Sequence, residues 1–402
     1  MSQSQQILIT VSGQDRPGIT ASLVNTIIEG GGALTNMGQS VTHGLLSLSL
    51  VFSPNKRPFE PNLILKNLLF EAKNLGLELE YKYLDENLPL MAPFISWEKF
   101  ILNCVSPHEL PSQFVHDVSQ LLANYNININ RIDNLTPLEF KSLEMSMSLP
   151  PDIDLHSLKK DLMKTGGLHQ VDVAFLKDNI FRRNKRLIVF DMDSTLIQTE
   201  VIDEMAQAIG AGEEVKKITE EAMNGEVNFD ISLEKRVQKL KGLEVSELKN
   251  ILNKLKFNQG VEEFVTTVKS LGYKLALISG GFSYFADAIK EKLGLDYAFA
   301  NNLEIENQRL TGKLKGTVVN PEQKALLLNL LAQQEGISLE QVVAIGDGAN
   351  DIPMLSTAGL GIAFHAKEIV KKEADNHMSF GPMTSILYFL GIPGPVSQPL
   401  AH

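Results

Sequence analysis

The chain has 402 residues, 44% of them apolar, which is long for one hydrophobic core and enough for two or three domains. Its formal net charge of −11 and the lack of an Arg/Lys-rich run exclude the basic footprint that a nucleic-acid partner requires, and oblige any anionic substrate to be drawn in by local cations. A single cysteine, Cys104, excludes an internal disulfide; no apolar stretch approaches the roughly 18 residues of a spanning helix, and Met1–Gln6 has no basic leader, so a cytoplasmic protein without a membrane partner is expected.

Ile7-Leu8-Ile9-Thr10-Val11 opens the chain as a strand. A helix near Ile19 to Glu29, strands near Leu34 to Val41 and Leu45 to Phe52, a helix near Pro61 to Asn74 and a strand near Leu77 to Tyr83 follow from the apolar periodicities. The loop Gly13-Gln14-Asp15-Arg16-Pro17-Gly18-Ile19 allows two readings: a helix start capped by Asp15, or a ligand loop in which Gly18 lets backbone approach closely. After the linker-like Asp85 to Pro93, Phe100 to Val105 opens a second unit of the same β-α-β-β-α-β order, with helices near Leu110 to Tyr125 and Leu155 to Thr165. Such units form antiparallel sheets with helices on one face and free edges suited to pairing.

These two units resemble ACT domains, which bind amino acids at paired interfaces. The resemblance implies an amino-acid effector, plausibly serine, held near Asp15 and Gly18, and a homodimer. In the second unit Ser106-Pro107-His108-Glu109-Leu110 replaces the glycine loop, which favours a structural role there.

Beyond the polar stretch Asp178 to Arg186, three apolar runs end in chemistry-bearing groups. Leu187 to Phe190 runs into Asp191-Met192-Asp193-Ser194-Thr195; Lys274 to Ile278 into Ser279-Gly280-Gly281; and Val342 to Ile345 into Gly346-Asp347-Gly348-Ala349-Asn350-Asp351. In an open parallel sheet the crevice lies beyond the carboxyl ends of the strands, so these groups meet, and Lys324, opening an apolar helix pattern, reaches the same place. The insert from Leu196 to Lys254 repeats apolar residues at helical spacing and reads as a small helical cap. On it Arg236 falls about 40° from the apolar Leu240, either to snorkel over apolar surface or to fork a carboxylate. Glu200 either favours a helix dipole or faces an ammonium.

The four core elements, over roughly Arg186 to Leu390, resemble the haloacid dehalogenase-like superfamily, and Asp193 places the chain in its phosphatase branch. Glu200, Met223, Gly225, Phe229 and the run from Ser232 to Gly242 resemble the phosphoserine-hydrolysing members of that branch. The fold implied is a Rossmann-like α/β core with a helical cap, after two α+β ferredoxin-like units: 1–88, 95–180 and 185–393, with the cap at about 197–256. The activity implied is hydrolysis of O-phospho-L-serine, the last step of serine biosynthesis. By the resemblance, Asp191 is the nucleophile and Asp193 the general acid and base, while Asp191, the Asp193 carbonyl and Asp347 hold Mg²⁺ and Asp351 orients them. Glu200 takes the ammonium, Arg236 the carboxylate, Met223 and Phe229 wall the site, and Ser279, Gly280, Lys324 and Asn350 serve the phosphate. A phosphatase for another small ester, or an amino-acid sensor with a vestigial catalytic half, are the alternatives.

Overall fold

The computed structural model describes residues 6–54, 60–84, 97–136, 139–223 and 228–392, without the side chains of 221–223. It divides into two compact units, Met1–Ser96 and Trp97–His402.

In the first unit, strands β1 (Gln6–Gln14), β2 (Gly32–Thr42), β3 (Leu45–Pro54) and β4 (Glu78–Leu84) form an antiparallel sheet in the order β2-β3-β1-β4. Alternation buries Ile7, Ile9 and Val11 of β1 with Leu46, Leu48, Leu50 and Phe52 of β3. They pack against Leu23 and Ile27 of helix Ile19–Glu29 and Leu68 of helix Pro61–Asn74, while the intervening residues stay outside. Both helices have the limits that their periodicity predicts. Gly18, in a left-handed conformation at φ 96°, is the N-cap of the first helix, with no side-chain capping bond; Asp15 is not a cap.

The second unit begins with the same plan: β5 (Glu98–Val105), β6 (Asn128–Asn134), β7 (Ser142–Leu149) and β8 (Asp172–Lys177), in the order β6-β7-β5-β8. Here both sheet faces are covered, which is why β5 is buried from Phe100 to Val105 without alternation. Cys104 lies on the face under helices Ser112–Asn124 and Leu155–His169, whereas Val105 and Ala174 join the core that contains Ile188 and Phe190. The β8 edge is not free for pairing: the Phe175 N–H donates to Asn376 Oδ1 of the C-terminal part at 3.1 Å. The stretch read as a polar linker also packs inward, with Arg182 buried in an ion pair with Glu144.

The large sheet comprises β9 (Leu187–Phe190), β10 (Lys274–Phe282), β11 (Tyr297–Glu306), β12 (Arg309–Lys315), β13 (Val342–Gly346), β14 (Leu360–Phe364) and β15 (Asn376–Met378). Its order is β12-β11-β10-β9-β13-β14-β15, parallel except for β12. The β11–β12 hairpin lies outside the motifs legible in sequence, because its turn is Asn307-Gln308, both at positive φ, without the glycine that usually marks a tight hairpin. Four helices, Val201–Ala208, Gly212–Met223, Phe229–Lys239 and Val245–Lys254, make up the insert after β9.

Candidate active site

Register brings the predicted groups together. Phe190, the last residue of β9, lies beside Leu277 of β10 and Ile345 of β13. Asp191 therefore follows its strand at the level where β10 delivers Ser279 and β13 delivers Asp347, and its N–H donates to the Ile345 carbonyl at 2.9 Å. The next strand neighbours of β9 lie on opposite sides of it, which makes this end a topological switch point.

Asp191, Asp193 and Asp347 are buried yet line a cleft of about 480 Å³ between sheet and insert. Lys324 and Asp351 lie beneath it, fully buried. The Lys324 ammonium donates to Asp191 Oδ1 and Asp351 Oδ1, each at 2.7 Å. Asp351 Oδ2 accepts from the N–H groups of Asp347 and Gly348, at 3.1 and 2.9 Å, so both of its oxygens are engaged within the protein. Thr195 Oγ1 donates to Asp347 Oδ1 at 2.9 Å, and Asp193 Oδ1 accepts from the Val201 N–H at 2.9 Å.

Backbone form makes these approaches feasible. Ser194 sits in the left-handed region at φ 57°, and Asn258 Nδ2 donates to the carbonyls of Ser194 and Thr195, each at 2.9 Å, to hold the loop in that turn. At Gly281 a Cβ would stand 2.7 Å from Asp193 Oδ2 and 2.7 Å from Met192 Cε, so only glycine lets β10 pass this carboxylate. Gly280 is less tightly constrained, with Phe229 Cζ 3.1 Å from where its Cβ would be.

Electrostatically the floor is overloaded with acids. Burial, then repulsion from Asp191 and Asp351, pushes the Asp347 carboxyl up to about 8. Burial and then Asp351 raise Asp191, while burial and then Glu200 and Asp191 hold Asp193 well above the carboxylate range. Burial opposes the charge of Lys324, but Asp191 and Asp351 outweigh it, and the ammonium is held more firmly than usual. Carboxylate oxygens of Asp191, Asp347 and Asp351 lie within 4.8 Å of one another. One lysine for this many buried acids, with oxygen donors only, suits a hard divalent cation. Asp351 is the least suited to ligate it directly, since its oxygens are already engaged.

Across the cleft the insert supplies charged and aromatic groups. Glu200 is the N-cap of Val201–Ala208 but does not cap it; its Oε1 accepts from Ser194 Oγ at 3.0 Å and it lines the cleft. Arg236, on the helix that buries Leu233 and Val237, turns its guanidinium into the cleft, where burial lowers its pKa against the opposing pull of Glu200, Asp203 and Asp193. Phe229, Ser279, Gly280 and Asn350 line the same space. The Met223 side chain and Gly225 lie outside the described residues.

Sequence reasoning did not single out Asp203, Asn258, Gly281, Asn301 or Lys367. Asp203 and Lys367 line the cleft, and Asn301 Nδ2 donates to the Gly280 carbonyl at 2.8 Å. Asp203 stands two residues after the cap start and Lys367 three after β14, positions whose relevance only the fold reveals.

A model of haloacid dehalogenase-like hydrolases matches residues 185–359, and a model of the ACT domain matches residues 5–82. The phosphoserine phosphatase of Streptomyces coelicolor is 35% identical over 96% of this chain and 92% of its own length. That of Archaeoglobus fulgidus is 49% identical over 60% of this chain and 70% of its own. Among solved structures, a probable phosphoserine phosphatase from Vibrio cholerae is 37% identical, with a TM-score of 0.58, over 73% of this chain and 86% of that one. A haloacid dehalogenase family hydrolase of Salmonella enterica serovar Typhi gives 29% and 0.63 over 72% and 98%.

Proposed function

Because the chain belongs to the phosphoserine phosphatases of the haloacid dehalogenase-like hydrolases, we propose that its cleft converts O-phospho-L-serine and water to L-serine and phosphate, with Asp191 as nucleophile. One arrangement carries this reading: a lysine-held carboxylate at a switch point faces an arginine and a glutamate across a cleft small enough for one amino-acid ester.

An Asp191 oxygen attacks phosphorus in line as the bond from phosphorus to the serine oxygen breaks. Asp193, protonated because its site is buried and acidic, gives its proton to that departing oxygen. The resulting aspartyl-phosphate is hydrolysed by water, whose proton returns to Asp193, and phosphate leaves. Lys324 spends two of its three N–H groups on Asp191 and Asp351 and keeps the third for a phosphoryl oxygen. Ser279, the Gly280 backbone and Asn350 serve the other oxygens. Asp191, the Asp193 carbonyl and Asp347 would hold Mg²⁺, with Asp351 orienting them, and the ion would supply the positive charge that lets two anions meet. Arg236 forks the substrate carboxylate, Glu200 takes the ammonium, and Phe229 closes the apolar side.

Phosphate release from phosphoserine, phosphothreonine and sugar phosphates, with Mg²⁺ and with chelator, tests this reading. Phosphoserine should be fastest and release should stop on chelation. Faster turnover of a sugar phosphate, or release that survives chelation, would overturn it.

The ACT-type unit suggests an amino-acid effector. A hollow of about 330 Å³ lined by Asp15, Gly18 and Gln39 fits serine there, with subunits paired through the N-terminal region. Residues 1–88, 95–180 and 185–393 are assigned as the three domains, with the cap at about 197–256. No helix among the described residues is long and apolar enough to cross a membrane, and a lone buried thiol suits the cytoplasm.

A further inference from the structure

Asp172, at the start of β8, is fully buried, and no cation pairs with it among the described residues. Its carboxylate instead collects the N–H groups of a turn in the catalytic part: Ser379 at 2.6 Å, Phe380 at 3.1 Å and Gly381 at 2.8 Å. A buried carboxylate is costly unless its oxygens are well satisfied, so this clamp strongly defines the turn. The turn is read in its own place by His365. The His365 N–H donates to the Met378 carbonyl at 2.7 Å and its Nε2 donates to the Gly381 carbonyl at 2.9 Å. His365 holds the left-handed conformation at φ 47°, uncommon for a residue other than glycine, and these two bonds hold it there. Two residues on is Lys367, which is exposed and lines the same cleft as Asp203 and Arg236 of the insert.

Among the described residues the cleft is lined by five acids, Asp191, Asp193, Glu200, Asp203 and Asp347, and by two cations, Arg236 and Lys367. An anionic substrate entering a chain of net charge −11 needs both. We propose that Lys367 is a further substrate-binding cation beside Arg236 and Lys324, and that Asp172 is a positioning residue for it, acting across the domain junction through the Ser379–Gly381 turn and His365. The second βαββαβ unit thereby contributes to substrate affinity without touching substrate. This rests on the phosphoserine reading above.

The test is steady-state kinetics on the full chain for Asp172→Asn, His365→Ala, Lys367→Gln and the double variant Asp172→Asn/Lys367→Gln. Each single change should raise KM for phosphoserine by roughly fivefold or more with kcat within about twofold, and the double variant should be no worse than Lys367→Gln alone. Lys367→Arg should restore most of the affinity. Multiplying effects in the double variant, or kcat lost at unchanged KM, would overturn the proposal. Should Asp172→Asn not fold, His365→Ala breaks the same path at an exposed side chain and carries the same expectation against Lys367→Gln. Amide exchange at 365–368 without substrate should be faster in Asp172→Asn and His365→Ala than in the wild type, and unchanged exchange would also overturn it. If the wild type releases no phosphate from phosphoserine, the substrate reading has failed, while the exchange result still reports on the coupling.

Discussion

Asp191→Asn keeps the shape of the side chain and removes the nucleophile, so turnover should vanish while circular dichroism stays native. Near-normal turnover in that variant, or phosphate trapped on another residue, would refute covalent catalysis here. Arg236→Ala removes a charge-assisted pair, on the order of 1.5–3 kcal/mol or roughly 10–150-fold. The loss should appear in kcat/KM for phosphoserine and be much smaller for phosphoethanolamine, which has no carboxylate; equal losses would reduce Arg236 to packing. Gly281→Ala would set a methyl 2.7 Å from Asp193 Oδ2. Displacing an acid by about 1 Å can cost on the order of 100-fold, so kcat should fall by that order in a folded protein. Asp191, Asp193, Asp347, Ser279 and Arg236 are legible in sequence because each follows an apolar run or stands at the edge of a helical stripe, and Lys324 because it opens one. The steric demand at Gly281 is not legible in sequence, because what excludes a side chain there is a carboxylate about 90 residues away that only the fold brings alongside.

The acids after β9 and β13 share the pH response, and Asp347 after β13 shows its sign. In the unfolded chain Asp347 releases its proton near the ordinary 3.8; in the metal-free fold it does so at about 8. The folded state binds more protons throughout that window, so metal-free protein should lose stability as pH rises from about 4 to 8 and level off above. A divalent cation relieves the repulsion that opposes ionisation and requires the ionised form. The gain in Tm on adding Mg²⁺ should therefore be larger at pH 8 than at pH 6, and a gain independent of pH would contradict a carboxylate-held ion. Elements with strong periodicity, such as helices Ile19–Glu29 and Pro61–Asn74, could be placed to the residue from sequence. Short β15 and the β11–β12 hairpin could not: three residues show no period, and a turn of Asn307-Gln308 gives little signal.

The order of modules follows from the sequence, since a repeated β-α-β-β-α-β pattern before three strand-to-acid motifs admits few arrangements. What sequence could not show is that the second βαββαβ unit is continuous with the catalytic part while the first is compact by itself, because the joining groups, Asp172, Phe175, Glu144 and Arg182, look like ordinary strand and linker residues. Calorimetry of the full chain with serine should give heat from the Asp15–Gly18 hollow, reduced in Gly18→Val, where left-handed backbone is strained by a branched side chain. Absence of heat from every common amino acid would remove the sensor role. Sedimentation at micromolar concentration should show a dimer, and a monomer would remove the pairing.

Cys104 is the sole thiol of the chain and stands fully enclosed in the middle of the second unit, where burial pushes its pKa up and leaves it unreactive. A thiol reagent can reach it only when that unit opens, so the colour released by such a reagent is a clock for one module, free of contributions from any other. Timed with and without phosphoserine, the same clock would register whether filling the distant cleft steadies the module bolted beneath it.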